Sequence, residues 1–264
     1  MIQEFWDFLT TSSSKQAREN GYLYQSIALA HRARRCHRHW LKHLEECHDF
    51  LNTRLPKIKK DSRVAILGSG LMLETPPEIL IQHFEHIDLV DVVHTKNVRD
   101  LISRFSLSHN QNHRFHFIEI DLNQSELKGD YDFVISANLL SQLPQVMIDR
   151  ERKQRLKRQR SLLRSKDLME GCMENDFEEG ISFLIQKLQL RHLEQVKSLS
   201  KKHLIFSDFE LNIRDLKNSL IETSATVDPQ LNIKWEKNWS WNLAPAPEIS
   251  KNHSVELIVG AYFS

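Results

Sequence analysis

The sequence predicts an α/β protein: a doubly wound, mostly parallel sheet of seven strands that closes on a C-terminal antiparallel hairpin, with a helical cap at the N-terminus. Three observations carry this reading. The apolar run Val64–Leu67 ends in Gly68-Ser69-Gly70, and helix-start chemistry follows within a few residues. Strand, glycine turn and helix form the opening unit of such sheets, whose ligands bind outside the carboxyl ends of the strands. Beyond it, short apolar strands alternate with helical patterns, the rhythm of a parallel sheet. Near the C-terminus two extended runs are joined by Ala244-Pro-Ala-Pro-Glu248, a link short enough to permit only an antiparallel pair.

Composition bounds the class. The chain has 264 residues, 40% hydrophobic and 27% charged, the balance of a soluble globular protein. A formal net charge of +1 advertises neither nucleic acid nor a membrane surface as partner. Three cysteines, an odd number without framework spacing, argue for a reducing compartment. The first residues carry acids and lack a basic start and apolar core, so no signal peptide is read there. No apolar run approaches the ~18 residues of a membrane span. These features together predict a cytoplasmic protein.

Residues 1–20 read as a loose start with an aromatic anchor, Phe5, Trp6 and Phe8. From Tyr22 to Leu55 apolar residues recur at three- and four-residue steps, as on one long helix or a helix pair. Cys36, His39, His43 and Cys47 fall along that helix, but four ligands on one helix cannot close a tetrahedron around one ion. The expectation is no metal, with cysteines packed inward and histidines at the edge. Residues 1–58 form the helical extension and 59–264 the α/β domain.

In that domain, Val64–Leu67 is the first strand. Thr75 is a candidate N-cap, Pro76 suits the first helical position, and a helix to about Glu85 is expected. The second strand is 87–93 with Asp91 near its end, followed by a helix at about 97–105. The third is 115–120, ending in Asp121-Leu122. The fourth is 131–136, ending in Ser136-Ala137-Asn138, with a helix starting at 139–143. Residues 149–202 break the rhythm as a helical insertion. Its basic run, 150–166, has no aromatic residue to stack on bases and adjoins an acidic stretch, so it reads as a solvated face rather than a nucleic-acid site. His203–Asp208 is a fifth strand, Leu211–Leu220 a helix, and the runs 233–243 and 255–263 the closing pair.

The glycine turn excludes two ligand classes. A dinucleotide fingerprint needs glycine where Leu73 stands, and no phosphate-cradling G-x-x-x-x-G-K-[ST] is present. With the ordered strand ends Gly68-Ser69-Gly70, Asp91, Asp121-Leu122 and Ser136-Ala137-Asn138, and with the final antiparallel pair, residues 60–264 resemble the class I S-adenosylmethionine (SAM) dependent methyltransferases, a Rossmann-like superfamily.

The resemblance implies SAM as cofactor. It places the methionine and ribose portion against Gly68, Ser69 and Gly70. It gives the ribose hydroxyls to Asp91, beside Val92, and the adenine amino group to Asp121 with the Leu122 amide nearby. Ser136 and Asn138 would lie below the sulfonium, facing the acceptor. Where the family often carries an acid two residues before the first glycine, this chain has Ile66; Glu74 or Glu78 could supply that charge from across the turn. No [DN]-P-P-[YF] follows the fourth strand, so a small-molecule acceptor is expected, with Gln142 to orient it and Trp241 to stack on it. Trp235, Trp239 and Trp241 at alternate positions also suit burial in the core. No catalytic base is identified. The competing readings are a catalytically inactive protein of this fold serving as a binding scaffold, and a nicotinamide-dependent enzyme.

Overall fold

The computed structural model describes residues 2–55, 62–109, 114–165 and 173–264. Its sheet contains β1 (Ser62–Leu67), β2 (Phe84–Asp91), β3 (Phe115–Glu119), β4 (Phe133–Ala137), β5 (His203–Asp215), β6 (Leu220–Ala225), β7 (Lys237–Ala244) and β8 (His253–Phe263). The order is β3-β2-β1-β4-β5-β8-β7, with β6 added to β5. The first five strands in chain order are parallel, and β8 lies antiparallel between β5 and β7. The expected closing pair is therefore present, with the last strand inserted inside it, and the sheet has eight strands rather than seven.

Burial explains why β1 and β4 read as unbroken apolar runs. Val64 and Ile66 face one layer and Ala65 and Leu67 the other, all with no exposed surface. Strands covered on both faces have no polar side to alternate with. Register follows: Val64 sits opposite Ile87 on β2 and opposite Phe133 on β4.

Helices α1 (Ile2–Thr10), α2 (Lys15–Glu19), α3 (Tyr22–Arg35) and α4 (His37–Arg54) precede the sheet. Residues 2–10, expected as a loose start, are helical; of the expected anchor only Phe8 packs, against Leu23, Ile27 and Val93, while Phe5 and Trp6 are 64% and 62% exposed. The stripe from Tyr22 resolves into a helix pair broken at Cys36, whose φ −97° and ψ 10° are not helical. Helix α4 lies on β7 and shares one core with the sheet through Trp40, Cys47, Phe50 and Leu51. Cys36 and Cys47 point inward as expected, but His43 is fully buried instead of lying at the edge.

Three element boundaries are corrected. The helix after β1, α5, is only Pro77–Leu80. Thr75 does not cap it; Pro76 occupies that position without a side-chain bond, and the Thr75 hydroxyl is buried without a partner. Phe84, read as a helix-face residue, instead starts β2 and rests on the Phe133 ring. A step of four between Leu80 and Phe84 fits either geometry, and pairing with β1 decides for the strand. The expected helix at Leu211–Leu220 is also a strand. β5 runs on to Asp215, bonded to β8 along one edge and to β6 along the other. The turn between β5 and β6 is built on Asp215, which accepts from the Lys217 and Ser219 amides, and on Asn218 at φ 66°. The remaining helices are α6 (Lys96–His109), α7 (Leu139–Ser165) and α8 (Met173–Leu199). The basic run 150–166 falls largely outside the described side chains, although α7 carries the backbone to Ser165.

One glycine fixes the hairpin layer. Gly260 in β8 lies under the Trp235 indole, which stacks on Phe209 at 5.6 Å, and a Cβ there would collide with the ring. Gly260→Ala is expected to lose about 1–3 kcal/mol by overpacking. Chemical denaturation reads this, and the cost of Gly260→Ala should shrink in a Trp235→Ala background, where the ring is absent; equal stability of Gly260→Ala and the parent would remove the contact from the account.

Candidate functional site

A cleft partly open to solvent runs across the carboxyl ends of β1 to β4. The strand ends contribute its floor: Gly68 and Gly70 after β1, Asp91 and Val92 after β2, Asp121 and Leu122 after β3, Asn138 after β4. Gln142 sits at its exposed rim, and Trp241 of β7 forms part of its wall. Nine of the eleven residues named from the sequence thus meet in one place.

Ser69 and Ser136 do not line it. The Ser69 hydroxyl turns away from the cleft onto the buried His94 Nε2 at 3.2 Å. The Ser136 hydroxyl meets His192 Nε2 at 2.8 Å in the opposite layer, under α8. Successive strand residues point to opposite faces, so the residue at a strand end with the right chemistry can face the wrong way.

The glycine turn is strongly curved. Gly68, Gly70 and Met72 all have positive φ, at 71°, 50° and 59°. The Gly68 and Ser69 amides both bond to the Val90 carbonyl. A Cβ on Gly68 would stand 2.9 Å from Leu139 Cβ and 3.0 Å from the Ala137 carbonyl, so this glycine lets β1 pack against the start of α7. A Cβ on Gly70 would meet nothing nearer than 3.6 Å and would instead occupy cleft space. The two glycines therefore do different work.

Asp91 ties the turn to β2. Its Oδ2 accepts from the Gly70 amide at 2.8 Å and its Oδ1 from the Val92 amide at 2.7 Å. Burial pushes its pKa above the usual carboxylate value, while the Gly70, Val92 and Val93 amides hold the rise back. Each carboxylate oxygen keeps a second lone pair, so these bonds leave capacity for two ligand hydroxyls.

Asp121 is anchored in the same way. Its Oδ1 accepts from the Asn123 amide at 3.0 Å, and its Oδ2 accepts from Gln124 Nε2 at 2.8 Å and the Tyr22 hydroxyl at 3.2 Å. Tyr22 comes from α3, and burial pushes its pKa up to about 12, so it stays a hydrogen-bond donor. With Gln25, Ser26 and Leu29 it roofs this end of the cleft. Nothing in the sequence flagged these roof residues; they are ordinary members of a helical stripe, and only the packing of α3 over the strand ends brings them in.

At the other end, Glu74 enters from the loop after β1, while Glu78 is exposed outside the cleft. Glu74 Oε1 accepts from Asn138 Nδ2 at 3.2 Å and lies 3.6 Å from His43 Nε2. Trp239 donates its indole N–H to His43 Nδ1 at 3.0 Å. An indole can only donate, so Nδ1 is bare and the ring proton sits on Nε2, facing the carboxylate. Burial pushes the Glu74 pKa up, but the hydrogen bond from His43, a backbone bond and Asn138 outweigh it and hold the group below the usual range. His43 also stacks on Trp241 at 4.1 Å and 6°, and Trp241 meets Trp40 edge-on at 5.0 Å. Trp239 and Trp241 are both buried, as core packing requires, yet Trp241 serves core and cleft wall together.

The charge of the lining is one-sided. It contains three carboxylates, Glu74, Asp91 and Asp121, and among the described residues no lysine or arginine. Buried polar atoms without a partner among the described residues also border it: Thr95 Oγ1, Asn138 Oδ1 and Trp241 Nε1.

Strand order, the inserted antiparallel β8 and a cleft at the strand ends define a Rossmann-like α/β fold. No protein-family model matches the sequence, and no curated protein is similar to it in sequence. Among solved structures, the chain is similar to the N-methyltransferase NodS of Bradyrhizobium japonicum WM9 in complex with S-adenosyl-L-homocysteine, with 11% identity, 83% of this chain and 86% of that one covered, and a TM-score of 0.41. It is also similar to DhpI in a complex with SAM and HEP, with 10% identity, coverage of 94% and 99%, and a TM-score of 0.42. TehB of Haemophilus influenzae shares 11% identity over 81% of this chain and 61% of that one, at a TM-score of 0.42. Likenesses this distant say nothing of substrate, and the assignment stands on the topology and the cleft.

Proposed function

We propose that the protein is a SAM-dependent methyltransferase acting on a small molecule. The observation that carries the reading is the convergence of Gly70, Asp91, Asp121 and Asn138, from four separate strand ends, on one cleft without a single basic residue among the described lining. That lining suits a ligand carrying a sulfonium and opposes a phosphorylated dinucleotide. Gly70 leaves the backbone open to close approach, Asp91 faces the ribose position, and Asp121 with Tyr22 closes the adenine position. Bound there, SAM supplies an electrophilic methyl group; the chain's own task is to position the acceptor against it and to exclude water. The roof formed by α3 and the wall of Trp40 and Trp241 serve that task.

Thermal shift with S-adenosylhomocysteine, SAM and NAD tests the reading, because a ligand of the folded state raises Tm by mass action. The first two should stabilise the protein and NAD should not. Gly70→Val should abolish the shift, because its side chain would occupy cleft space; holding a β-branched residue at φ 50° costs about 1–2 kcal/mol, so the unliganded Tm should fall while the protein stays folded. Gly68→Val is the contrasting control: it should unfold the protein by driving β1 off Leu139. A Tm insensitive to both SAM and S-adenosylhomocysteine would favour the scaffold reading.

A further inference from the structure

We propose that Glu74, Asn138, Trp40 and Trp241 form an ammonium-binding subsite for the methyl acceptor, which makes the acceptor an amine. The inference rests on the methyltransferase reading for its chemistry, but the subsite stands on its own geometry. Apart from the Trp241 indole N–H and the Asn138 N–H₂, its polar groups are acceptors. Asn138 donates Nδ2 to Glu74 Oε1, which fixes the amide orientation, since the flipped amide would set oxygen against oxygen. That leaves Asn138 Oδ1 buried and without a partner among the described residues. Glu74 and Asn138 Oδ1 together call for a ligand with several N–H donors. Two indoles border the same space, Trp40 and Trp241, and aromatic faces attract cations. With no lysine or arginine in the described lining, carboxylate or phosphate acceptors have no counter-charge.

The subsite also fits the charge movement of the reaction. The bound ammonium first loses one proton to water. The free amine nitrogen then forms the bond to the methyl carbon with its lone pair, while the carbon–sulfur bond breaks and its electron pair stays on sulfur. Positive charge thus leaves the sulfonium and develops on nitrogen, yielding a neutral thioether and a methylated ammonium. A carboxylate held beside the nitrogen is worth more to this transition state than to the neutral amine before it. His43 acts here as a positioning residue: its Nε2 proton faces Glu74, its Nδ1 is held by Trp239, and its ring is pinned on Trp241.

The test titrates the protein, saturated with S-adenosylhomocysteine, with benzylamine, benzyl alcohol and benzoate, three probes of one shape and different charge. Calorimetry and tryptophan fluorescence give the affinities. Benzylamine should bind at least about tenfold more tightly than benzyl alcohol, as one charge-assisted hydrogen bond implies, and benzoate should not bind. Glu74→Gln should bring benzylamine to the level of the alcohol and leave S-adenosylhomocysteine affinity unchanged. Trp241→Leu keeps the carboxylate and should weaken benzylamine severalfold, a second reading should Glu74→Gln fold poorly. Benzylamine binding no better than benzyl alcohol would overturn the subsite. So would a Glu74→Gln variant that loses S-adenosylhomocysteine but not 5′-methylthioadenosine, which lacks the amino acid, because the carboxylate would then hold the cofactor's own ammonium. If the parent protein binds no S-adenosylhomocysteine, the methyltransferase reading fails, and the titration without it still decides the subsite.

Discussion

Asp91→Ala is expected to weaken S-adenosylhomocysteine binding by about 10- to 200-fold, the effect of losing charge-assisted hydrogen bonds worth roughly 1.5–3 kcal/mol. The structure adds a second effect. Because the carboxylate accepts from the Gly70 and Val92 amides, its removal strands two backbone donors and loosens the turn from β2. Tm should therefore fall as well. Asp91→Asn keeps one acceptor oxygen for one of the two amides and presents an N–H₂ group to the other, so it should recover only part of either loss. Measuring Kd and Tm on each variant separates the roles. A lowered Tm with unchanged affinity would leave Asp91 a turn fastener and remove the ribose assignment.

Acid should unfold this protein through its histidines. His94 and His192 are both buried, and burial pushes the pKa of each down to about 4, from 6.5. Above the unfolded value neither state carries the proton and stability is unaffected. Between about 6.5 and 4 the unfolded chain binds protons that the folded one refuses, so the contribution of these two histidines falls with pH across that window. Below it Glu74, Glu248 and Glu256, held below the usual carboxylate range, lose their own stabilisation as they are protonated. The histidine shift corresponds to roughly 3 kcal/mol at most for each of the two. Asp91 and Asp208, whose pKa values burial raises, act in the opposite sense and moderate the loss. Denaturation midpoints at pH 7.5, 5.5 and 4.5 read the slope, and His192→Gln, which cannot be protonated, should flatten it in part, since His94 and His203, whose pKa burial also lowers, remain. An unchanged slope in that variant would mean that His192 does not control acid stability.

Sequence and structure divide the site between them. The strand ends were legible because each carries its own local chemistry: a glycine pair after β1, an acid after β2, Asp121-Leu122 after β3, Asn138 after β4. Such signals depend on the backbone and the pleat of one short segment, and seven of the nine cofactor positions read this way line the cleft. Side-chain direction was less secure, which is how Ser69 and Ser136 came to face His94 and His192 instead.

Pairing partners were not legible at all. Leu211–Leu220 has the apolar spacing of a helix, yet β8 on one side and β6 beyond Asn218 draw it into the sheet. The end of the cleft around Glu74 is the clearest case. Glu74, His43, Trp239 and Asn138 lie in four distant stretches of chain, and each alone reads as a turn acid, a helix-face histidine, a core indole or a strand-end amide. The sequence by itself determined the fold class, the strand ends that line the cleft and the absence of a dinucleotide turn, because local periodicity and turn chemistry write those. Only the tertiary structure decided which acid is held ionised and what surrounds it, because docking α4 on β7 and curling the β1 loop under it is a long-range packing event that no local pattern encodes.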